Sequence, residues 1–390
     1  MRDAKPKLKN FEPVRFMRDY WQHRPLFMPD ALPVDFVALR PADLFKLTAK
    51  QEVESRLISR RLSHGHWRYK AADGPFTGED FTRRRGQTNW TLLVQRVNEW
   101  LPRVDLLFDY FDFIANWRLD DIMVSYATPG GTVGPHLDNY DVFLCQLRGE
   151  RTWQFSRRPS RSENLEADQP VRLLTEFTAD KTVVCRPGDI LYLPPRFGHY
   201  GVADSECITV SIGFRAPQLE RLMGLYFNEM VGAMGDTFYG DAGTRVQKQS
   251  GQFSESALKA LTRMAQTGLK KLGATKPAEP LHDALLRELS NSPNAAIPSQ
   301  TLMTQTAFLK RWRGQVLQRN PRNRYFYRVH ASSVTLYAAG ESFALPANQQ
   351  HLIADLCNHR LFSCTAKRLK PLAVEFWYEM FKLGFVFFAK

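Results

Sequence analysis

The chain has 390 residues, 44% of them hydrophobic and 24% charged, with a formal net charge of +13. That length exceeds one ordinary hydrophobic core, so two or three domains are expected. No apolar run approaches the roughly 18 residues of a membrane span. The first ten residues lack an apolar signal segment, and the five scattered cysteines, with no CxxC pair, fit reduced thiols in a cytoplasmic protein.

Phe16 to Leu26 carries aromatic residues at helical spacing and predicts a short helix stopping at Pro25. From Asp121 the texture changes. Ile122 to Tyr126, Val142 to Leu147, Thr152 to Phe155, Thr182 to Cys185, Ile190 to Leu193 and Cys207 to Phe214 read as short strands. Pro129-Gly130-Gly131, Arg148-Gly149-Glu150, Arg186-Pro187-Gly188-Asp189 and Pro194-Pro195 read as turns between them. Such punctuation predicts a β-sandwich or barrel. Val142 to Leu147 is apolar almost throughout, as expected of a strand covered on both faces.

After Pro217 the pattern turns helical, with Leu219, Leu222, Met223 and Tyr226 at spacings of three and four and a second helix near Ala257 to Leu272. Residues 299–390 mix helix-like stretches (Thr301 to Trp312, His351 to Cys357, Ala373 to Leu383) with strand-like Tyr325 to Arg328 and Ser333 to Tyr337, and the apolar stretch Phe376 to Phe388 reads as a packed amphipathic helix. That order is compatible with a winged-helix-like unit. The charge is concentrated here. Residues 291–390 carry a net +9, and the run Lys310 to Arg328 has seven basic residues and no acid. Such a run is either a footprint for RNA or a solvated face.

The chemistry lies in His136-Leu137-Asp138 and in His199, 63 residues after the first histidine. Two imidazoles and a carboxylate can hold Fe(II), Mn(II) or Zn(II) on one face and leave positions open. Residues two apart on a strand share a side, so His136 and Asp138 can reach one ion. No cysteine lies near His136 in sequence, which disfavours a closed structural zinc site. Arg151 follows at the head of the next predicted strand. A guanidinium inside a barrel needs an anion, and its fork fits a carboxylate.

Gly134-Pro135-His136-Leu137-Asp138-Asn139-Tyr140-Asp141-Val142-Phe143 resembles the metal motif of the bacterial ribosomal oxygenases, which are JmjC/cupin-type 2-oxoglutarate-dependent protein hydroxylases. Pro187 to Pro195 with His199 resembles their second metal motif, Gly213 to Pro217 the end of their barrel, and Tyr20 to Leu26 their N-terminal entry. The likeness covers about residues 15–217. It implies an α+β fold with a mainly β core. A double-stranded β-helix (1–217) would be followed by a helical dimerisation region (218–292) and a winged-helix-like domain (293–390).

By the same resemblance, His136, Asp138 and His199 hold Fe(II), and Arg151 binds the C5 carboxylate of 2-oxoglutarate. Thr209, where Asn is expected, is a second cosubstrate candidate. Asp121, Tyr140 and Ser211 are candidate substrate contacts. The implied reaction uses O2 and 2-oxoglutarate to hydroxylate the β-carbon of an arginine in the sixteenth large-subunit ribosomal protein. The implied protein is a cytoplasmic homodimer, not membrane-bound, and its basic C-terminal domain is a candidate contact for rRNA or the ribosome. Other readings are an N-methyl demethylase of the same fold, a small-molecule hydroxylase, and a non-catalytic RNA-binding cupin scaffold.

Overall fold

The apolar runs of the first half become strands in a computed structural model that describes residues 6–33, 37–160, 165–166, 169–232, 255–274, 279–292, 294–295 and 303–389. Two compact units emerge. One comprises Met1–Ala216, Ala296–Arg324 and Ala354–Lys390, the other Pro217–Ala295 and Tyr325–Ile353.

The first unit begins with β1 (Leu26–Met28), β2 (Ser55–Ser63), β3 (His66–Asp73), β4 (Trp90–Val94), β5 (Leu119–Ala127) and β6 (Asp141–Arg148). β7 (Arg151–Phe155), β8 (Lys181–Cys185), β9 (Ile190–Leu193), β10 (His199–Ala203) and β11 (Cys207–Phe214) follow. They form an eight-stranded sheet in the order β1-β9-β6-β11-β5-β4-β2-β3 and a three-stranded sheet in the order β10-β7-β8. This is the arrangement of a double-stranded β-helix.

Strand alternation separates two environments. Ile208, Val210, Ile212 and Phe214 of β11 join Ile122, Val124 and Tyr126 of β5, Phe143 and Cys145 of β6, and the N-terminal Phe16 and Trp21 in the larger core. The opposite parity of β6 contributes Val142 and Leu144 to a second cluster with Trp153, Phe155, Cys185, Leu191 and Leu193. Both faces of β6 are therefore covered, which explains its continuous apolar run. Cys207, Thr209 and Ser211 share the second face of β11, and all three are buried.

Two expectations change in detail. The N-terminal helix is Pro13–Asp19 rather than a helix reaching Pro25. Gln22, at φ 58°, turns the chain instead, and its side chain donates to the buried Asp141 carboxylate at 3.0 Å. Phe376 to Phe388 is not one helix: Pro371–Lys382 is helical, Gly384 adopts φ 72°, and a strand follows. The amides of Gly384 and Phe385 donate to the carbonyls of Phe381 and Met380, satisfying the helix C-terminus.

Six further strands follow: β12 (Leu317–Arg319), β13 (Tyr325–Val329), β14 (Ser333–Ala338), β15 (Glu341–Pro346), β16 (Leu361–Phe362) and β17 (Val386–Phe388). The sheet β16-β12-β17 packs with the helices Gln305–Trp312 and Pro371–Lys382. Phe308, Trp312 and Trp377 are buried there. Several of the seven basic residues between 310 and 328 have contacts inside the chain: Arg311 donates to the Gln315 Oε1 at 2.8 Å and lies 4.4 Å from the Phe388 ring centre. Arg319 is buried and donates to the carbonyls of Leu356 and Cys357. Arg324 donates to Asp120 at 2.6 Å, and Arg322 lies 4.8 Å above the Trp100 ring. Lys310, Arg311 and Arg313 are exposed.

The second unit contains the helices Leu219–Gly232, Glu255–Ala274 and Glu279–Ser290 and the sheet β13-β14-β15, whose centre is the buried Val334, Leu336 and Ala338. Among the described residues, no helix is long and apolar enough to cross a membrane.

Candidate metal centre and active site

His136-Leu137-Asp138 lies in the loop between β5 and β6, not on a regular strand. A single antiparallel bridge holds it. His136 and His199 exchange backbone hydrogen bonds of 3.0 and 2.8 Å, and the Arg196 amide donates to the Asp138 carbonyl at 2.6 Å. Gly134 permits the approach. Its φ is 84°, and a Cβ there would stand 2.2 Å from the Leu173 side chain.

One ligand atom from each of His136, Asp138 and His199 lies within 4.8 Å of the others. The His199 Nε2 stands 3.6 Å from the Asp138 Oδ2. The His136 Nδ1 is 2.9 Å from the Gly134 carbonyl, and the His199 Nδ1 is 3.0 Å from the Phe197 carbonyl. A carbonyl only accepts, so both Nδ1 atoms carry protons and both Nε2 lone pairs are free for a metal. Burial, with help from His136, lowers the His199 pKa to about 4, which keeps the imidazole neutral as ligation requires. The residues fit a divalent ion bound through three positions on one side.

Arg151 heads β7 and is 3% exposed. Its guanidinium donates to the Ser125 hydroxyl and the Gly201 carbonyl, both at 3.3 Å, and lies 4.8 Å from the Trp153 ring centre. Among the described residues its Nε has no hydrogen-bond partner and no carboxylate pairs with it. The neighbouring Glu150 pairs instead with Arg186, at 3.2 Å. Burial pulls the Arg151 pKa down, as expected of a cation lacking a close counter-charge. The Trp153 ring lies 5.9 Å from the His199 ring, linking the guanidinium to the metal end. Its own indole N–H is buried without a partner. The chamber thus offers ligands at one end and unmet donors at the other, which suits a short dianion.

Thr209 sits on β11 directly opposite Ser125. Its hydroxyl donates to the Gln146 Oε1 at 2.8 Å, so its single proton is engaged. Asp121 shares a face of β5 with Ser125. Burial, reinforced by the Asp120 charge, raises its carboxyl to about 6, while the Arg96 amide partly offsets this by donating to it at 3.2 Å. Tyr140 is 38% exposed, and its hydroxyl bonds Asp138. Loss of solvation and the Asp138 and Asp121 charges raise its pKa, so the phenol stays protonated. Ser211 is buried opposite Met123. Asp121, Tyr140 and the ligand Asp138 are therefore neighbours.

Ser125, Trp153 and Gln146 were missed in the sequence. Strand alternation placed all three on the inner face, but it does not reveal which of them the arginine meets. Asp141, named only as motif text, is fully buried. It receives Tyr192 at 2.6 Å and Arg118 and Gln22 at 3.0 Å each, tying the N-terminal entry to the barrel.

The JmjC domain family matches residues 106–222, which contain every one of these site residues. Residues 106–222 are thus similar to a JmjC domain. A ROXA-like winged helix matches residues 292–375 behind the JmjC domain. The probable ribosomal oxygenase of Haemophilus influenzae is 39% identical over 218 residues, covering 55% of this chain and 52% of the relative. The ribosomal protein uL16 3-hydroxylase of Escherichia coli is 35% identical over 227 residues, covering 58% and 59%. The chain thus spans between half and three fifths of the length of these curated relatives. The structure of YcfD, a ribosomal oxygenase from Escherichia coli, in complex with cobalt and 2-oxoglutarate superposes with a TM-score of 0.72 and 26% identity, covering 98% of this chain and 99% of that one.

Proposed function

We propose that this protein is an Fe(II)- and 2-oxoglutarate-dependent hydroxylase of a ribosomal protein, acting on the β-carbon of an arginine. One observation carries the reading. A buried guanidinium without an acid shares a chamber with a two-histidine, one-carboxylate cluster whose Nε2 atoms are free. The relatives named ribosomal oxygenase and uL16 3-hydroxylase point to the same substrate class.

His136, Asp138 and His199 would hold the iron, which with O2 supplies the oxidation coupled to conversion of 2-oxoglutarate to succinate and CO2. Arg151 anchors the far carboxylate of the cosubstrate, with the Ser125 hydroxyl beside it. Trp153 roofs the guanidinium and excludes water. Thr209 acts at one remove, by fixing Gln146. At the mouth, ionised Asp121 attracts the target guanidinium, the Tyr140 hydroxyl orients it, and Ser211 is a third contact.

The finer organisation belongs to the same proposal. Residues 1–217 form the catalytic domain, 218–292 a dimerisation region and 293–390 a winged-helix-like domain. Leu219, Met223, Phe227 and Val231 recur every fourth residue and are exposed, which supports a homodimer. The protein would work in the cytoplasm, where ribosomal proteins are made. The exposed Lys310 and Arg313 of the basic run are the candidates to meet rRNA.

Succinate release by purified protein with Fe(II), 2-oxoglutarate and the candidate ribosomal protein tests the chemistry. Mass spectrometry of ribosomal proteins from wild-type and deletion cells tests the target. The expected result is a gain of one oxygen on a single arginine in wild-type cells. Identical masses in the two strains reject the substrate assignment.

A further inference from the structure

Beside the metal centre, the β2–β3 hairpin carries charge that the fold does not use. From Ser59 to Lys70 the chain has Arg60, Arg61, Arg68 and Lys70, with His64 and His66, and no acid. Arg61 and Arg68 stand directly opposite each other across the hairpin. Like charges in that position are destabilising. Neither has a hydrogen bond or an acidic partner among the described residues, and both are exposed, as is Lys70. β3 is the last strand of its sheet, so this charge lies on an open edge.

The other face of the hairpin is aromatic and touches residues that adjoin His136 and His199 in the chain. Trp67 is 39% exposed, and the Arg60 guanidinium lies 4.0 Å from its ring centre. Arg60 also donates to the Tyr200 hydroxyl at 2.5 Å, while its Nε is buried without a partner. Tyr200 adjoins the ligand His199. Tyr69 packs against Gly134, two residues before the ligand His136. The hairpin is therefore a basic and aromatic lip built against both metal-bearing segments.

We propose that this lip binds single-stranded RNA next to the substrate entrance. Arg61 and Arg68 lie on one face and the Trp67 indole on the other, so only a strand running along the open β3 edge meets both, pairing phosphates with the guanidiniums and stacking a base on the indole, as sequence-tolerant RNA binding does. The proposal rests on the ribosomal reading of the site and extends it. A lip this basic repels a basic protein segment that is alone and attracts one presented with RNA. The preferred substrate would then be a protein–RNA particle rather than the free protein.

Fluorescence anisotropy of a labelled uridine 20-mer with the full chain tests this without reference to catalysis. Arg61→Glu/Arg68→Glu should weaken binding about tenfold or more at low salt and flatten the salt dependence by about one to two phosphate contacts. Trp67→Ala should weaken binding about tenfold with the salt slope unchanged. Hydroxylation of a free peptide should be unaltered in both variants. Wild-type affinity in the charge variant would overturn the proposal. So would displacement of the RNA by poly-glutamate of equal charge, which would mean that the lip reads charge alone. If RNA binding is lost as expected but no peptide is ever hydroxylated, the assigned activity fails and the RNA surface stands.

Discussion

The barrel chamber and the seam where the C-terminal segment meets residues 105–120 both bury arginine, with opposite outcomes. At the seam, Arg360 reaches Asp105 at 3.1 Å and also bonds Asp109, and Arg324 reaches Asp120. In the chamber, Arg151 has, among the described residues, a hydroxyl, a carbonyl and an indole face but no acid. A buried cation with acids from its own chain is complete, and removing it leaves uncompensated carboxylates. One without acids is incomplete, and what completes it has to arrive from outside. The difference separates the seam arginines from Arg151, the proposed cosubstrate anchor, more sharply than burial does.

The most severe disruption expected in the chamber is Asp138→Ala. It should abolish succinate formation and metal uptake, read by turnover and by metal content after dialysis. Unchanged turnover would remove Asp138 from the ligand set. At the seam, Arg360→Met should cost about 3–5 kcal/mol of unfolding free energy, because Asp105, whose carboxyl burial already holds above its usual range, loses its counter-charge. Adding Asp105→Asn should recover part of that loss in denaturant titrations.

Arg151→Met should behave the other way. Without ligand, its stability should stay level or rise by about 1 kcal/mol, while cosubstrate affinity falls about 30-fold or more. A ligand-free Arg151→Met protein as destabilised as Arg360→Met would erase the contrast between the two regions. The smallest effect is one of pH. Asp121 is protonated below about 6, so its attraction for a guanidinium is lost as pH falls through that value. KM for an arginine-containing peptide should therefore decrease as pH rises from 5 to 7, and Asp121→Asn should flatten the profile.

Much of this was legible in the sequence. The apolar runs placed β5, β6, β8, β9 and β11 to within a few residues, because strands covered on both faces leave few polar positions to obscure them. The clustering of His136, Asp138 and His199 was legible because the Gly-rich approach, HxD, Pro-Pro turn and second histidine come in a set order. The hairpin β2–β3 was not, since alternate arginines on an exposed edge resemble any solvated segment. The split of Phe376 to Phe388 into helix and strand was also hidden. Aromatic residues serve either state, and the left-handed turn at Gly384 together with pairing to β12 decided between them.

By itself the sequence determined the ligand types, their spacing and the presence of one arginine ahead of a strand. Only the tertiary structure decided that His136 and His199 pair through their backbones, that their Nδ1 atoms are capped, and that Arg151 lacks an acid. Those facts depend on which groups from distant segments arrive within hydrogen-bond reach, and spacing along a chain does not encode that. The same reason moved the open basic surface. In the C-terminal run, Arg319 and Arg324 found partners inside the chain, whereas the Arg61 and Arg68 side chains found none among the described residues.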